Sequence, residues 1–426
     1  MKNLSVYIEV NGSQIYVGKI AGNSITDAYF QYAEEYYTRP DAVSISINLP
    51  VSKKVFTPAQ TKIFFEGLLP EGFTRRCVAS WMHADENDYL TILAGLGSEC
   101  LGALQIVEND HTLEQSYKKL TFEQVRSLAQ EGASESAQLV TKSHLSLTGA
   151  SGKVGLYFNN VDKQWYQPIG SAPSTHIVKQ SHVRLKEIVT NEQLCLLTAS
   201  GLGIEIPESF IINTGNSKDG DVLFATKRYD RSFNGATCLV DGLSVPLRLH
   251  QEDFAQAMGI AAQHKYEHDQ AAYLKKAFEM IRNYSTNPME DQIKLWDITV
   301  YNYLIGNTDN HIKNLSLLYS KDLKAVRLAP AYDIVSTMIY ESSTKDMSLS
   351  INGKYEIDKL TRDDFKSQAQ ICGLGEKIAM SHFDKLASLF EKMLNKTVVF
   401  MAEEGFSNIG DLKEKILSSG GYHHLL

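Results

Sequence analysis

Hydrophobic and polar residues alternate along the first part of the chain, a pattern typical of half-buried β-strands. The alternation runs from Leu4 to Val10, and Asn11-Gly12 then predicts a tight turn into a second strand that ends near Ile20. Short strands are also predicted at residues 29–32, 43–50 and 101–106, around a helix that begins at Thr57-Pro58. We therefore predict a small β-rich subdomain over residues 1–110.

The next part of the chain, residues 111–230, predicts a second mixed unit. A helix is expected at 121–129, strands at 174–179, 210–212 and 222–225, and a helix at 192–199 that Thr190-Asn191 would cap. Glycines recur at 149, 152 and 155 between two apolar strands, so backbone amides can approach a phosphate there. A plain tight hairpin explains these glycines equally well. The residues do not fit a Walker A loop, because Val154 follows Lys153 where that motif has Ser or Thr.

Beyond Leu247 the periodicity becomes helical. Apolar residues recur at helical spacing over 252–258, 270–284, 291–305 and 380–393, with short strands at 315–319, 325–329 and 347–351. The expected fold class is therefore α+β. A β-rich half followed by a helical lobe over 231–426 predicts a two-lobed, protein-kinase-like fold.

Asp309 and Asn314 have the spacing of the aspartate and asparagine in a protein-kinase catalytic loop. The two strands that follow them predict a hairpin, which would bring Asp333 beside Asn314 as a second oxygen ligand for magnesium. His311 completes a D-x-H-x-x-N pattern, the variant found in aminoglycoside and lipid kinases. The competing interpretation is a polar surface loop that happens to be rich in Asp and Asn.

Lys179 ends a predicted apolar strand, as does the lysine that contacts the α and β phosphates in kinases. Glu192 is placed to pair with Lys179, although a glutamate in the first turn of a helix also complements the helix dipole. The strand at 222–225 leads into Lys227 and Tyr229, where a kinase has the hinge whose backbone contacts adenine.

Charge and cysteine content narrow the class of protein. The 42 Lys and Arg against 50 Asp and Glu give a formal net charge of -8, which argues against direct nucleic-acid binding, because that requires a clustered basic surface. The five cysteines never occur at metal-ligand spacing, so we interpret them as reduced core residues. The sequence shows neither an apolar signal segment nor a membrane span, and we expect a cytoplasmic protein that does not contact membranes.

The chain resembles the HipA family of bacterial serine/threonine kinases, the toxins of toxin-antitoxin pairs, over nearly its full length. The resemblance is carried by several motifs that have no general reason to occur together: residues 305–314, 330–334, 64–70, 101–104, 227–231, 250–254 and 265–267. It implies that ATP and Mg²⁺ are the cofactors, that Asp309 is the catalytic base and that Asn314 and Asp333 are the metal ligands. His311 and Lys179 are expected at the nucleotide as well, with Lys227 and Tyr229 as the hinge.

The resemblance also implies that the glycine-rich loop covers the nucleotide and that Ser146 beside it is autophosphorylated, which ejects the loop. That loop is Gly149-Ala150-Ser151-Gly152-Lys153 here, whereas the family commonly has G-A-Q-E-K. Ser151 and Gly152 therefore replace a larger polar pair, and we expect a more flexible loop with weaker nucleotide affinity.

The partners implied by the resemblance are a HipB-like helix-turn-helix antitoxin, which docks partly on the N-terminal subdomain, and a protein substrate of the translation machinery such as an aminoacyl-tRNA synthetase. DNA would be contacted only through the antitoxin. Two other functions remain open. The D-x-H-x-x-N pattern fits a small-molecule kinase, and a regulatory subunit that needs no catalysis would keep the fold to bind its antitoxin.

Overall fold

The computed structural model describes residues 2–108, 114–131, 153–181 and 185–425. The chain forms two compact units. The first unit comprises residues 1–182, 212–262 and 318–325, and the second comprises residues 183–211, 263–317 and 326–426. Among the described residues, no helix combines the length and the apolar character needed to cross a bilayer.

The structure mixes strands and helices along the chain. The strands are β1 (Lys2–Val10), β2 (Ser13–Gly22), β3 (Tyr29–Tyr32), β4 (Leu104–Glu108), β5 (Gln115–Lys119), β6 (Lys153–Asn159), β7 (Gln164–Gly170), β8 (His176–Gln180), β9 (Ser209–Asn213), β10 (Val222–Lys227), β11 (Arg231–Ser232), β12 (Leu239–Val240), β13 (Leu243–Ser244), β14 (Leu247–Arg248), β15 (Gln251–Asp253), β16 (Ser316–Tyr319), β17 (Val326–Leu328), β18 (Asp346–Ile351) and β19 (Lys354–Glu356). The helices are α1 (Glu34–Tyr37), α2 (Pro58–Glu66), α3 (Gly72–Trp81), α4 (Tyr89–Leu96), α5 (Phe122–Glu131), α6 (Ile188–Gly201), α7 (Phe254–Met258), α8 (Tyr273–Tyr284), α9 (Pro288–Ile305), α10 (Arg362–Ile371), α11 (Glu376–Glu403) and α12 (Ile409–Ser419).

The first sheet has the order β3-β2-β1-β4 and confirms the predicted N-terminal hairpin. The alternating residues Leu4, Val6 and Ile8 are completely buried, because successive side chains of a strand face opposite sides of the sheet. Asn11 and Gly12 both have positive φ, 51° and 83°, as a two-residue hairpin turn requires.

The prediction of a strand over residues 43–50 is wrong. Only an isolated bridge between Ser46 and Leu49 forms there. The two serine side chains accept hydrogen bonds from nearby backbone groups: Ser44 Oγ from Val51 N at 2.9 Å and Ser46 Oγ from Asn48 N at 3.1 Å. Such local bonds compete with strand pairing, and alternation alone does not reveal them.

The second sheet carries the strand that ends in Lys179. Its strands β5, β7, β6, β8 and β10 are neighbours in that order, and β8 pairs antiparallel with both β6 and β10. In this register Lys179 lies opposite Lys153 on one side and opposite Phe224 on the other. Directly opposite residues share a face of the sheet, so the two lysines lie side by side.

Helix α6 differs from the prediction at its N-terminus. The helix begins at Ile188 after Glu187, so Thr190-Asn191 does not cap it. Asn191 is instead buried within the helix, where its side chain donates to Ser336 O at 2.8 Å and accepts from Ser336 N at 3.2 Å. A tertiary contact to a residue 145 positions away has overridden the local capping preference.

In the second unit, α9 is the central helix and confirms the prediction for residues 291–305. It begins at Pro288, where the missing N–H of proline costs nothing, and it ends at Gly306 in the left-handed conformation. Trp296 is completely buried on this helix, and its Nε1 donates to Ala379 O of α11 at 2.9 Å. The rigid end of α9 therefore fixes where the following loop starts.

Glu252 is a buried carboxyl group in the first unit. It accepts hydrogen bonds from Ser46 Oγ at 2.6 Å, Tyr319 OH at 2.5 Å and Ile47 N at 3.1 Å. Burial nevertheless raises the pKa of Glu252 from 4.5 to about 7, because the charged form loses its hydration.

This shift predicts a pH dependence of stability. Between pH 4.5 and 7 the folded state binds the proton that the unfolded state has released, so the contribution of Glu252 to stability falls as pH rises through this window. Glu252→Gln cannot ionise. We expect the difference in unfolding free energy, wild type minus Glu252→Gln, to fall by roughly 2 kcal/mol between pH 5 and pH 8 in urea denaturation. A difference that is the same at both pH values would contradict this assignment.

Candidate active site

The loop that follows α9 is built by hydrogen bonds of two asparagines. Asn307 N donates to Asn302 O at 2.8 Å, and Asn307 Nδ2 donates to Asn302 Oδ1 at 2.7 Å. Asn307 Oδ1 in turn accepts from Asp309 N at 3.1 Å. The side chain of Asn307 therefore supplies hydrogen-bond partners that the backbone loses where the helix ends, which accounts for an asparagine two residues before Asp309.

Two further hydroxyl groups fix the residue before Asp309. Thr308 N donates to Thr337 Oγ1 at 2.7 Å, and Thr308 O accepts from Ser348 Oγ at 2.6 Å. Both backbone groups of Thr308 are thus held by side chains that are 29 and 40 residues away in sequence. Hydrogen bonds therefore fix both the N–H and the C=O of the residue immediately before the predicted base.

Asp309, His311 and Asn314 lie together in this loop. Asp309 is exposed, and its Oδ1 accepts from Tyr266 OH at 2.5 Å. Its backbone oxygen accepts from His311 N and from Asn314 Nδ2, both at 2.9 Å. His311 is buried, and its ring meets the ring of Tyr266 edge-on at a centroid distance of 5.1 Å. An exposed carboxylate with a fixed backbone can accept a proton from an incoming hydroxyl group.

The predicted hairpin after Asn314 is confirmed. Ala329 N donates to Ser316 O at 2.9 Å where β16 and β17 pair. Tyr332 OH lies 2.6 Å from Ser316 Oγ and donates to Lys313 O at 3.0 Å. Tyr332 and Lys313, which directly precede Asp333 and Asn314 in sequence, are therefore hydrogen-bonded to each other.

The backbone of Asp333 is strained. Its φ of 53° is in the left-handed region, which non-glycine residues adopt at a cost of about 1 to 2 kcal/mol. Aspartate tolerates this region better than most residues, because its short polar side chain can form local hydrogen bonds. Backbone strain of this kind is concentrated at functional sites, where the surrounding structure maintains it.

The donor set of Asn314 and Asp333 fits magnesium. Magnesium prefers oxygen ligands and usually takes one or two side chains, with water and phosphate oxygens filling the other positions. The nitrogen of the Asn314 amide is bonded to Asp309 O, so the amide oxygen is the atom that can face a cation. Within the described ranges, no group of three or more His, Cys, Asp or Glu side chains could hold a metal by itself. This small set of side-chain ligands fits a metal site in which phosphate oxygens of a nucleotide would supply further ligands.

In the first unit, Lys153 and Lys179 lie opposite each other on β6 and β8. Two cations in directly opposite positions of a sheet are close enough to contact the same anion. Lys179 Nζ lies 5.3 Å from the centre of the Phe224 ring, on the face of the sheet that both lysines share. The sequence pointed to each lysine separately, but the pairing depends on strand register and was not predicted.

Lys227 and Tyr229 flank the end of β10. The backbone N of Arg228, between them, donates to Thr175 O at 2.8 Å. The Tyr229 hydroxyl group donates to Gln251 Oε1. Arg228 and Arg231 are buried in ion pairs with Glu99 and Asp230. Arg228, Asp230 and Arg231 therefore have a structural role that the sequence did not predict.

The glycine-rich loop lies outside the described residues. This holds for Ser146, Gly149, Ala150, Ser151 and Gly152, and the described residues resume at Lys153, at the start of β6. The predicted pairing of Glu192 with Lys179 and the boundaries at residues 110 and 230 remain predictions.

Comparison with known proteins identifies the family. Residues 145–394 match the model of the HipA-like C-terminal domain, and residues 8–107 match that of the HipA N-terminal domain. The serine/threonine-protein kinase toxin HipA of Shewanella oneidensis is 21% identical over 427 residues, covering 96% of this chain and 94% of that protein. Y4mE of Sinorhizobium fredii, whose name describes a kinase, is 29% identical over 371 residues and covers 84% of each chain.

A solved structure confirms the fold. HipA of Shewanella oneidensis MR-1, in a complex with HipB and its operator DNA, matches this structure with a TM-score of 0.78 at 19% identity, over 99% of this chain and 97% of that one. The predicted α+β fold of the two-lobed, kinase-like type is thereby confirmed. The C-terminal family model alone matches more than half of the sequence. The chain therefore belongs to the HipA family of kinases.

Proposed function

We propose that this chain is an ATP- and magnesium-dependent protein serine/threonine kinase that acts as the toxin of a toxin-antitoxin pair. The observation that carries the proposal is the geometry of one loop and hairpin. An exposed Asp309 shares this loop with Asn314, and Tyr332 bonds the segment of Asp333 back to Lys313, the neighbour of Asn314. A base and two oxygen ligands in this arrangement are the parts that phosphoryl transfer needs.

In this proposal each group has a separate task. Asp309 orients the acceptor hydroxyl group and takes its proton, while Asn314 and Asp333 hold the metal. When bound, Mg²⁺ neutralises charge on the phosphate oxygens.

Cations and backbone groups are assigned to the nucleotide residue by residue. Lys179 is assigned to the phosphates, and Lys153, which faces Lys179 across the β6–β8 pair, strengthens this assignment. The residues assigned to cover the nucleotide are Gly149, Ala150, Ser151, Gly152 and Lys153. The backbones of Lys227 and Tyr229 are assigned to adenine, and His311 belongs to the cofactor-binding set.

The proposed partners are a HipB-like antitoxin and a protein of the translation machinery, such as an aminoacyl-tRNA synthetase. The similar HipA was solved with HipB and operator DNA. The net charge of -8 supports DNA contact through a partner rather than by this chain. We place the protein in the bacterial cytoplasm.

The second candidate is a small-molecule kinase, which the spacing of Asp309, His311 and Asn314 favours. It predicts phosphate transfer to a purified metabolite or antibiotic when no protein acceptor is present. A regulatory partner of the antitoxin that needs no catalysis is the third, and it predicts that the purified chain neither turns over ATP nor phosphorylates itself.

Asp309→Asn should abolish phosphoryl transfer and leave nucleotide binding intact, because the base contacts the acceptor and not the phosphates. General-base groups contribute roughly 10² to 10⁴ in rate, so we expect at least a hundredfold loss in transfer from labelled ATP. Asp384→Asn is the matched control, since that carboxylate lies on α11 in an exposed pair with Arg362. Transfer close to the wild-type rate by Asp309→Asn would remove this residue from the mechanism.

Asp333→Ala should lose magnesium-dependent ATP binding, because it removes the only carboxylate of the proposed metal site and leaves the neutral amide of Asn314. Asp333→Asn separates charge from backbone strain, since asparagine also tolerates positive φ. For both variants, calorimetric titration with ATP should show affinity roughly tenfold or more weaker with magnesium present, and little change without it. Wild-type affinity for Mg-ATP in either variant would contradict the ligand assignment.

Ser146 should become phosphorylated when the chain is incubated with ATP and magnesium. A phosphate adds about -1.5 to -2 charges between the apolar residues Leu145 and Leu147, so the loop should leave the nucleotide and the affinity for ATP should fall. Mass spectrometry would locate the phosphate, and Asp309→Asn should prevent the modification. Unmodified Ser146 in fully active, ATP-treated protein would show that it is an ordinary loop serine.

A further inference from the structure

Tyr266 contacts the predicted base directly. It belongs to the Lys265-Tyr266-Glu267 motif, to which the sequence assigned no role. Its hydroxyl group donates to Asp309 Oδ1 at 2.5 Å, and the edge-on contact of its ring with His311 spans 5.1 Å. Asp309 and Tyr266 are 43 residues apart in sequence, so tertiary structure alone brings them together.

The residue after Tyr266 anchors this segment. Glu267 is buried, with 4% of its surface exposed. Glu267 N donates to Ser348 O at 2.9 Å, and its two carboxylate oxygens accept from Ser350 N at 2.8 Å and Ser350 Oγ at 3.0 Å. Glu267 Oε1 also accepts from Ala272 N at 2.7 Å. A carboxylate with this many donors is held rigidly.

The same strand holds both partners of the contact. Ser348 and Ser350 lie on β18, and Ser348 Oγ donates to Thr308 O, the carbonyl group immediately before Asp309. β18 is thus bonded to the residue after Tyr266 and to the residue before Asp309. The hydrogen bond between the phenol and the carboxylate is therefore preorganised by the fold.

The position of the hydroxyl group has a consequence for Asp309. An exposed aspartate samples several rotamers, and a charge-assisted hydrogen bond to one oxygen selects among them. The phenol binds Oδ1, one of the two carboxylate oxygens of Asp309. Tyr266 is 39% exposed and Asp309 is exposed as well, so the contact is accessible from solvent.

We propose that Tyr266 is a positioning residue that holds the Asp309 carboxylate in the orientation for phosphoryl transfer. This inference rests on the proposed kinase function. It differs from that proposal because it assigns part of the rate to a residue outside the catalytic loop. Tyr266 positions the base without binding ATP, so its removal should slow transfer and leave nucleotide binding unchanged.

Tyr266→Phe tests this, because it removes the hydroxyl group and keeps the ring that contacts His311. Tyr273→Phe is the matched control. It also removes one tyrosine hydroxyl group from the second unit, and that group donates to His264 O at 3.0 Å. The measured quantities are the maximal rate of phosphate transfer from labelled Mg-ATP to the chain itself, the half-saturating ATP concentration and the calorimetric Kd for Mg-ATP.

We expect the maximal rate of Tyr266→Phe to fall roughly tenfold, while the half-saturating ATP concentration and Kd change less than about twofold. Tyr273→Phe should keep the wild-type values of all three. An unchanged rate in Tyr266→Phe overturns the assignment. A higher rate also overturns it, since the phenol would then block the acceptor.

Parallel losses of rate, affinity and melting temperature in Tyr266→Phe would show a merely structural role and overturn the assignment as well.

Failure of the proposed kinase function gives a different experimental result. In that case the wild-type chain itself transfers no more phosphate than Asp309→Asn, and both proposals fall together. Transfer by the wild type with a normal Tyr266→Phe variant refutes only the role of Tyr266.

Discussion

Three buried arginines surround one carboxylate in the first unit, and much of that unit depends on them. Glu99 Oε1 accepts from Arg228 at 3.1 Å and Arg231 at 2.8 Å, and Glu99 Oε2 accepts from Arg248 at 3.0 Å. Burial alone raises the pKa of Glu99, but the three guanidinium groups together bring it below its ordinary value. Glu9 and Asp230 bring the cluster to three negative and three positive charges. Removing one member leaves a buried charge uncompensated, at a cost of about 3 to 5 kcal/mol.

This cluster ties together segments that are far apart in sequence. Glu9 comes from β1, Glu99 from the loop after α4, and Arg248 from β14. Asp230 Oδ2 also accepts from Gly102 N at 2.7 Å. Because Arg228 and Arg231 are fixed by these bonds, the backbone on either side of Tyr229 has little freedom. The segment assigned to adenine is therefore held by electrostatics, whereas the loop of Asp309 is held by neutral side chains such as Asn307 and Ser348.

What the sequence could predict was the part of the structure that short-range chemistry decides. The Asn11-Gly12 turn, the helix before Asp309 and the hairpin after Asn314 all follow from local patterns, and the structure confirms them. The strand at 43–50 failed because the side chains of Ser44 and Ser46 bond nearby backbone groups, and the Thr190-Asn191 cap failed because Asn191 has a tertiary partner. The contact between Tyr266 and Asp309 depends on how distant segments pack, and one sequence carries no signal for such a contact.

The positive φ of Asp333 restricts how this position can change during evolution. Asparagine and glycine accept the backbone conformation but lose the negative charge, and glutamate keeps the charge but is less suited to the left-handed region. Asparagine, glycine and glutamate each fail to preserve both properties, so loss of the proposed ligand at this position has no gradual intermediate. A relative with asparagine or glycine at this position would keep the fold while lacking the carboxylate. Under the proposed assignment, such a relative would lack the carboxylate that holds the metal.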